Sequence, residues 1–555
     1  MRSLSLERQT VLKMKKTILL GVLFSLISIS ILAQETAQKP KIIVGIVVDQ
    51  MRQEYFYKFS ENYTEGGFKR LLRDGFEMKN GHYNYIPTYT GPGHASVYTG
   101  TTPATHGIIG NNWYVRSLNK SIYCASDSTV THVGGTPMSG EISPRNLLTT
   151  TITDELRFST NKRSKVVAVA IKDRGASLPG GHLGDAYWYD SNNGEFMTST
   201  YYYEELPKWV KDFNSKKQVD QYLDQTWEPL LPTEKYVNSI DDNNDFEAPF
   251  IGKETPTFPY DLASLKEDNG GYGMVASTPY GNSLTLDFAY AAIEGEKLGQ
   301  GEDTDFLAVS FSSPDYIGHR FGPSSKELED NYIRLDREME KFLNFLDEEY
   351  GKDNYLVFLS ADHGVADIAT YMQSENVPAG NINTGYILGQ LRGYTSQVYG
   401  EGNWIINGSN DQIFLNHKLA KDKGVDIVAM QNDLADFLLR FNGIKEVYTA
   451  NAMRNTSFDQ HRPNLLQMGY NHKASGDLLI IYEPAWLAGG ARGTTHGTGF
   501  TYDTHVPILF YGWGIKSGHS TRYATVTDIA PTLSMLLNIR LPNGATGEPI
   551  HELFN

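Results

Sequence analysis

Cysteine is almost absent from the sequence: Cys124 is the only one among 555 residues. A single thiol cannot form an intramolecular disulfide, and it excludes cysteine-rich zinc sites and iron–sulfur clusters. Any metal bound by this chain is therefore expected to lie on histidine and carboxylate side chains.

Basic residues are also few relative to acidic ones, with 49 Lys and Arg against 65 Asp and Glu and a net charge of −16. Such a field repels polyanions at long range, so nucleic-acid binding is not expected as a primary role. A small anionic substrate is not excluded, because a buried cationic site acts within a Debye length of roughly 8–10 Å. The apolar content of 40% indicates a globular protein with a large core.

Only one hydrophobic run approaches the length of a membrane span. It covers residues 18–32, follows two lysines and ends at Ala33, which is the layout of a secretory signal peptide. We predict a signal peptide over residues 1–33, with Met1 or Met14 as the start, and an exported protein, periplasmic or extracellular, without stable membrane insertion after cleavage. The alternative is an uncleaved anchor, because the run is slightly long and its cleavage motif is poor.

Short apolar runs without polar alternation recur along the chain. Such runs are typical of strands covered on both faces and predict an α/β fold with a central, mostly parallel sheet and helices on both faces. Apolar residues spaced three and four apart predict a helix over residues 325–349, with Ser324 and Glu327 as a capping box. The six runs are Ile42–Val48, Val166–Ile171, Phe306–Phe311, Tyr355–Leu359, Leu478–Tyr482 and Ile508–Tyr511.

Two segments lack this strand and helix pattern and predict insertions. Residues 201–280 are rich in Tyr, Trp, Pro, Asn and Asp and show no period, which predicts an irregular insertion. Residues 366–472 separate two predicted strands and predict a cap or lid. The predicted catalytic core then comprises residues 34–200, 281–365 and 473–555, without internal repeats.

Residues able to bind metal follow the predicted strands. Because the carboxyl ends of parallel strands share one edge of a sheet, these side chains can converge there. Taken singly, an Asp after a strand is more often a helix cap or turn residue, so the prediction depends on the group. Three Asp and three His suit zinc, with manganese or iron as alternatives, rather than an all-oxygen calcium cage. The candidate ligands are Asp49, Asp315, His319, Asp362, His363 and His496.

A candidate nucleophile lies in the motif Thr90-Gly-Pro-Gly. A hydroxyl at a helix N-terminus lies among unpaired N–H groups that favour an alkoxide and a bound phosphate. A threonine hydroxyl is a weak nucleophile until a metal or a base removes its proton. The alternative interpretation is that Thr90 is a simple N-cap residue.

Three polar residues are candidates for binding a phosphoryl group. Lys172 and Arg174 follow the second apolar run and would point the same way in an extended chain, so that both contact one phosphoryl group. The alternative for this pair is two solvated surface charges. Asn111 is less specific, and its alternative is a turn residue.

The order of these residues along the chain resembles that in the alkaline phosphatase superfamily. It is most similar to the secreted PafA-type, phosphate-irrepressible alkaline phosphatases, which are related to the nucleotide pyrophosphatase/phosphodiesterases. The resemblance implies two Zn²⁺ per chain. One ion would be held by Asp315, His319 and His496, and the other by Asp49, Asp362 and His363 with the oxygen of Thr90. The resemblance further implies that Asn111, Lys172 and Arg174 contact the phosphoryl oxygens.

The first hypothesis is therefore a phosphomonoesterase that acts on small phosphate esters through a phosphothreonine at Thr90, as a monomer. The second is a type I phosphodiesterase or nucleotide pyrophosphatase on the same ions, in which aromatic residues of the insertion would house the second ester group. The third is an inactive surface-binding protein that keeps the fold. The sulfatase branch is not favoured, because its Cys/Ser-x-Pro-x-Arg motif is missing around Thr90.

Overall fold

The computed structural model describes Met14 and residues 39–554. The predicted signal peptide lies outside the described residues, except for Met14. The chain divides into the compact units Met1–Pro40 and Lys41–Asn555, and the second unit holds all the elements below. Among the described residues, no helix has both the length and the apolar character needed to cross a membrane.

Half of the twenty strands in the described residues belong to one large sheet. The remaining strands form a four-stranded sheet and three two-stranded ribbons. In chain order the strands of the described residues are β1 Ile42–Val48, β2 Phe76–His82, β3 Asn112–Val115, β4 Lys120–Tyr123, β5 His132–Val133, β6 Val166–Ala170, β7 Asp185–Asp190, β8 Glu195–Ser199, β9 Thr226–Trp227, β10 Tyr260–Asp261, β11 Asp305–Phe311, β12 Tyr355–Ser360, β13 Gly380–Ile382, β14 Ile405–Ser409, β15 Gln412–Leu415, β16 Ile444–Thr449, β17 Leu478–Tyr482, β18 Trp486–Ala488, β19 Ile508–Gly512 and β20 Gly518–Thr525.

The large sheet has the strand order β20-β2-β19-β12-β1-β11-β6-β7-β8-β5. Its centre, from β12 through β1, β11 and β6 to β7, is parallel. Strands β1, β6, β11 and β12 are buried along their whole length, which explains why their sequences are continuous runs of apolar residues. The predicted α/β fold with a mostly parallel sheet is confirmed.

Helices pack against the large sheet and make up much of the segment predicted to form a cap. The predicted capping box of Ser324 and Glu327 is wrong: Ser325 is the N-cap of the long helix and accepts from the Leu328 N–H at 3.1 Å, and Leu328 has no carboxylate to complete a box. The α-helices of the described chain beyond Met14 are Tyr55–Lys58, Phe68–Asp74, Thr90–Thr99, Pro103–His106, Ile152–Ser159, Asp173–Gly180, Lys208–Ser215, Gln218–Leu223, Leu262–Leu265, Tyr280–Glu296, Ser313–Phe321, Lys326–Tyr350, Ala369–Ser374, Thr384–Tyr399, His417–Lys423, Ile427–Leu438, Ala450–Asn455, His461–Gly469, Thr501–Thr504 and Ile529–Leu537.

Two sheet assignments differ from the prediction. Strand β17 belongs to the four-stranded antiparallel sheet β14-β15-β17-β16, not to the large sheet. Strand β19 does lie in the large sheet but runs antiparallel to both neighbours. A short apolar run reports only that a strand is buried on both faces, and the four-stranded sheet buries β17 completely as well. The segment boundaries of the insertions stay predictions.

Candidate active site

The carboxyl ends of three neighbouring parallel strands carry most of the candidate site. Asp49 directly follows β1, and Asp362 and His363 follow β12. Asp315 and His319 lie on the helix Ser313–Phe321 that begins after β11. Their spacing of four places both on one face of that helix. The sheet therefore gathers residues that are far apart in sequence at one edge.

His496 also lies in the candidate site, although it comes from a different part of the chain. It lies in the loop between β18 and the helix Thr501–Thr504, so the expectation that it follows a strand of the large sheet is wrong. The loop is anchored because His496 Nδ1 lies 2.7 Å from the Thr88 carbonyl oxygen. Its ring stacks on that of His363 with centroids 3.5 Å apart and an angle of 13° between the planes.

The ligand atoms form two overlapping groups, each within 4.8 Å of one another: Asp49, Asp362 and His363 form one, and Asp315, His363 and His496 the other. His319 belongs to neither group, although its Nε2 lies 3.2 Å from Asp315 Oδ1. The pairing implied by the resemblance differs here, since it assigns His319 rather than His363 to the ion of Asp315.

The three histidines share one orientation. Their Nδ1 atoms lie 2.7–2.8 Å from backbone carbonyl oxygens, so Nδ1 carries the proton and donates. In His363 and His496, whose pKa burial lowers, the Nε2 atom is then left with a free lone pair directed toward the carboxylates, whereas the Asp315 carboxylate raises the pKa of His319 although burial opposes the shift. A histidine that donates from one ring nitrogen and offers the other is the usual arrangement around a protein-bound metal.

The carboxylates also fit a cation. Asp49 Oδ1 and Asp362 Oδ2 are buried and accept no hydrogen bond from the described residues. Burial raises the pKa of Asp49 and of Asp362, and repulsion from Asp49 raises that of Asp362 further. Burial lowers the pKa of His363 to about 3, which keeps it neutral as a ligand must be. Unpaired buried carboxylates beside neutral imidazoles suit divalent metal ions.

Lys172 lies among these carboxylates. Its Nζ donates to Asp49 Oδ2 at 2.6 Å and to Asp315 Oδ2 at 2.5 Å. The residue is buried, so the alternative of a solvated surface charge is wrong for it. Although burial opposes the shift, the two carboxylates raise the pKa of Lys172 above its usual value.

Thr90 is the first residue of the fully buried helix Thr90–Thr99. Tyr89 rather than Thr90 is the N-cap residue, so the interpretation of Thr90 as a simple cap is wrong. The Thr90 hydroxyl lies 3.5 Å from His363 Nε2 and 3.4 Å from Arg174 Nη2. It is thus placed between the candidate metal ligands and a guanidinium group.

Arg174 and Asn111 lie beside Thr90, on the side away from the candidate metal ligands. Lys172 is the N-cap of the helix Asp173–Gly180, so Arg174 lies in the first turn of that helix. The two side chains therefore do not point the same way: Lys172 contacts the carboxylates, and Arg174 contacts Thr90. Asn111 Oδ1 accepts from the Gly91 N–H at 2.7 Å, which leaves the Asn111 amide hydrogens for an oxygen beside Thr90. The structure therefore gathers all ten predicted site residues in one region, with different internal pairings.

The sequence did not indicate two sets of supporting residues. The Gln50 N–H donates to Asp362 Oδ1 at 3.0 Å, and its Nε2 donates to Asp315 Oδ1 at 2.6 Å, so Gln50 links the two groups of ligands. Tyr123 accepts from Arg174 at 3.1 Å and itself donates to Asp173. Gln50 is the only one of these whose position, directly after Asp49, offered a signal.

Comparison with known proteins agrees with this geometry. The family model described as type I phosphodiesterase / nucleotide pyrophosphatase matches residues 43–506. The chain belongs to this family. This match, which spans every candidate site residue, and the alkaline phosphatase relatives described next confirm the resemblance to the alkaline phosphatase superfamily.

Several relatives of this phosphodiesterase-family chain are similar over nearly its whole length. A Myroides odoratus protein called calcium-transporting ATPase is 45% identical and covers 95% of this chain and 96% of its own. Alkaline phosphatase PafA of Elizabethkingia meningoseptica is 44% identical, covering 96% and 98%. A crystal structure of wild-type alkaline phosphatase PafA superposes with a TM-score of 0.90 at 44% identity, covering 94% of this chain and all of the other.

Proposed function

We propose that the protein is an exported, zinc-dependent alkaline phosphatase that hydrolyses small phosphate monoesters, as a monomer, through a phosphothreonine at Thr90. The supporting observation is the position of the Thr90 hydroxyl between His363 Nε2 and Arg174 Nη2. The names and full-length similarity of the PafA relatives support the same activity.

The donor set fits two Zn²⁺. Asp49, Asp362 and His363 would hold one ion, with the oxygen of Thr90, and Asp315, His319 and His496 would hold the other; His319 qualifies through its contact with Asp315. When bound, zinc lowers the pKa of a coordinated hydroxyl and stabilises negative charge on a departing oxygen. The carbonyls of Thr88, Gly364 and Thr494 fix the imidazole tautomers that such ligation requires.

The residues of the chain perform the rest of the reaction. The Thr90 oxygen attacks phosphorus in line, the bond from phosphorus to the ester oxygen breaks, and the phosphoryl group becomes attached to Thr90. Arg174 and the Asn111 amide hold the phosphoryl oxygens, as positively polarised donors do best in a site without competing water. Water then attacks the phosphothreonine from the side of the departed alcohol, so two inversions give net retention at phosphorus.

Charge favours a monoester over a diester. Two divalent ions, three carboxylates, an alkoxide, Lys172 and Arg174 leave about two positive charges in the site. A monoester dianion matches that charge, whereas a diester monoanion does not. We therefore expect Lys172 and Arg174 to contribute more to monoester than to diester hydrolysis.

The test compares p-nitrophenyl phosphate with bis-p-nitrophenyl phosphate under the same conditions. The proposal expects the higher kcat/KM for the monoester. A higher kcat/KM for the diester would instead support the second candidate, a phosphodiesterase or nucleotide pyrophosphatase, which the name of the matching family model favours. ATP belongs in the same substrate panel, because one relative is called an ATPase.

A further inference from the structure

A cavity of about 240 Å³ lies beside the nucleophile, between the large-sheet part of the molecule and the cap. Tyr89, which directly precedes Thr90, lines one side. The cap helix Thr384–Tyr399 and the hairpin of β14 and β15 line the other. None of the proposed catalytic residues lines this cavity, so the reaction described above leaves it unassigned.

The cavity lies next to residues that border the candidate active site. A smaller cavity of about 30 Å³ shares Asn410, Asp411 and Tyr482 with it and is lined further by Gly497 and Thr498, which follow His496. The Tyr89 ring meets that of His496 edge-on, with centroids 5.6 Å apart. Tyr89 therefore borders both the cavity and a candidate metal ligand, and it is one residue from the nucleophile.

The lining carries one charge. Among the residues that line the two cavities, Asp411 is the only charged one; the others are apolar or neutral polar side chains. Asp411 Oδ1 accepts from the Tyr482 hydroxyl at 2.9 Å, while Oδ2 accepts no hydrogen bond from the described residues. Burial raises the pKa of Asp411 to about 6, so it is ionised at alkaline pH.

Asp411 lies in a left-handed backbone conformation, which is unfavourable for residues other than glycine. Asn410 and Asp411 form the two-residue turn of the hairpin, with φ of 52° and 56°. Glycine is the residue best suited to the second position of such a turn, so an aspartate there is not explained by the turn itself. The turn is fixed by the Asn410 amide, which donates to the Asn112 carbonyl at 2.6 Å, next to Asn111.

These observations determine the kind of ligand. A carboxylate without a cationic partner, between the aromatic rings of Tyr89 and Tyr482 and apolar side chains, attracts an ammonium group on an apolar chain. It repels a second phosphate or a carboxylate. We infer that this cavity binds the alcohol portion of phosphate monoesters that carry an ammonium group, with Asp411 as the counter-ion. The inference rests on the proposed phosphatase function.

The test uses matched esters that differ only in the amine. Ethanolamine, 4-aminobutyl and 6-aminohexyl phosphates are compared with ethyl, butyl and hexyl phosphates at pH 8. For the chain length that spans the distance to Asp411, the wild type should show a kcat/KM about tenfold higher for the amine ester, the effect of one hydrogen bond between charged groups. A ratio at or below one at every length overturns the inference.

Variants assign the preference to Asp411. Asp411→Asn and Asp411→Gly both suit the left-handed turn and should reduce the ratio to about one. Asp422→Asn, an exposed acid on the cap helix His417–Lys423, is the control and should keep the wild-type ratio. A ratio that is unchanged in the Asp411 variants, including an equal loss for both esters, overturns the assignment.

A binding measurement separates this inference from the proposed function. Calorimetry with 4-aminobutylphosphonate and butylphosphonate, which are not hydrolysed, should show about tenfold tighter binding of the amine compound to the wild type and equal binding to Asp411→Asn. If the wild type binds the two phosphonates equally, the inferred subsite is refuted even if the protein is a phosphatase. Absence of ester hydrolysis with the binding preference intact sinks only the proposed function.

Discussion

Arg116 donates to the buried carboxylate of Asp477, with Nη2 2.6 Å from Oδ2. Arg116 follows β3, whose first residue is next to Asn111, and Asp477 precedes β17 of the four-stranded sheet. The same carboxylate lies 2.7 Å from His417 Nε2 and accepts from Gln431. This ion pair therefore links the segment that carries Asn111 to the four-stranded sheet and to the helices that carry His417 and Gln431.

Loss of that ion pair should destabilise the protein. In Asp477→Asn the Arg116 guanidinium loses its partner in a partly buried place, and we expect the free energy of unfolding to fall by about 3 kcal/mol in chemical denaturation. The exposed pair of Lys418 and Asp422 provides the control, since Asp422→Asn should change stability by less than about 0.5 kcal/mol. Equal effects of the two substitutions would contradict this role of Asp477.

Removal of the Thr90 hydroxyl should abolish turnover without unfolding the site. The Thr90 side chain caps no helix, so Thr90→Ala removes the nucleophile and leaves the helix Thr90–Thr99 intact. We expect at least a thousandfold loss of kcat for p-nitrophenyl phosphate, with unchanged circular dichroism and zinc content. Undiminished turnover would show that another group attacks phosphorus.

Arg174 and Lys172 should distinguish between substrates. Arg174→Ala and Lys172→Ala each remove a positive charge that a dianion needs more than a monoanion does. We expect kcat/KM for the monoester to fall about tenfold more than that for the diester. Equal losses on the two substrates would count against their assignment to the phosphoryl group.

Gln50 should act through the metal ligands. It lies in a left-handed conformation with φ of 67°; its backbone N–H donates to Asp362 and its side-chain amide donates to Asp315, so Gln50→Ala removes only the contact that orients Asp315. In Gln50→Ala we expect zinc affinity, measured by chelator competition, to fall 10–100-fold. Gln53→Ala is the control, because Gln53 donates to Glu77 outside the site. Equal zinc affinity in the two variants would rule out this role.

Glu247 should make stability fall at alkaline pH. It is completely buried, burial raises its pKa to about 8, and its Oε1 accepts from the nearby Asn244 amide at 2.7 Å. A raised pKa means that the folded state favours the protonated acid. Its contribution is therefore full below the ordinary pKa of about 4.3 and is lost as pH rises through about 8.

The matching experiment replaces the carboxyl by a neutral amide. Glu247→Gln should raise the free energy of unfolding relative to wild type by roughly 2–4 kcal/mol at pH 9 and much less at pH 5. Glu234→Gln, on an exposed part of the same insertion, should have no effect at either pH. A stability difference that does not vary with pH would refute the role of Glu247.

The fold class could be predicted from the sequence because it depends on local patterns, and the same patterns predicted that three aspartates of the candidate site lie together. Asp49, Asp315 and Asp362 could be related because each follows an apolar run, and parallel strands share their carboxyl edge. Two features could not be predicted: that His496 lies in a loop after β18, and that β17 belongs to the four-stranded sheet. An apolar run shows that a strand is buried on both faces but not which sheet it joins. The roles of Gln50 and Asp411 depend on left-handed backbone angles that only the structure reveals.

The most direct test of the central claim is to identify the phosphorylated residue. The enzyme is mixed with p-nitrophenyl phosphate, quenched in acid during turnover, digested and analysed by mass spectrometry. The account predicts a phosphate on Thr90 that is absent from Thr90→Ala. A phosphate on another side chain would contradict the assignment of Thr90, as would its absence together with inversion of configuration at phosphorus.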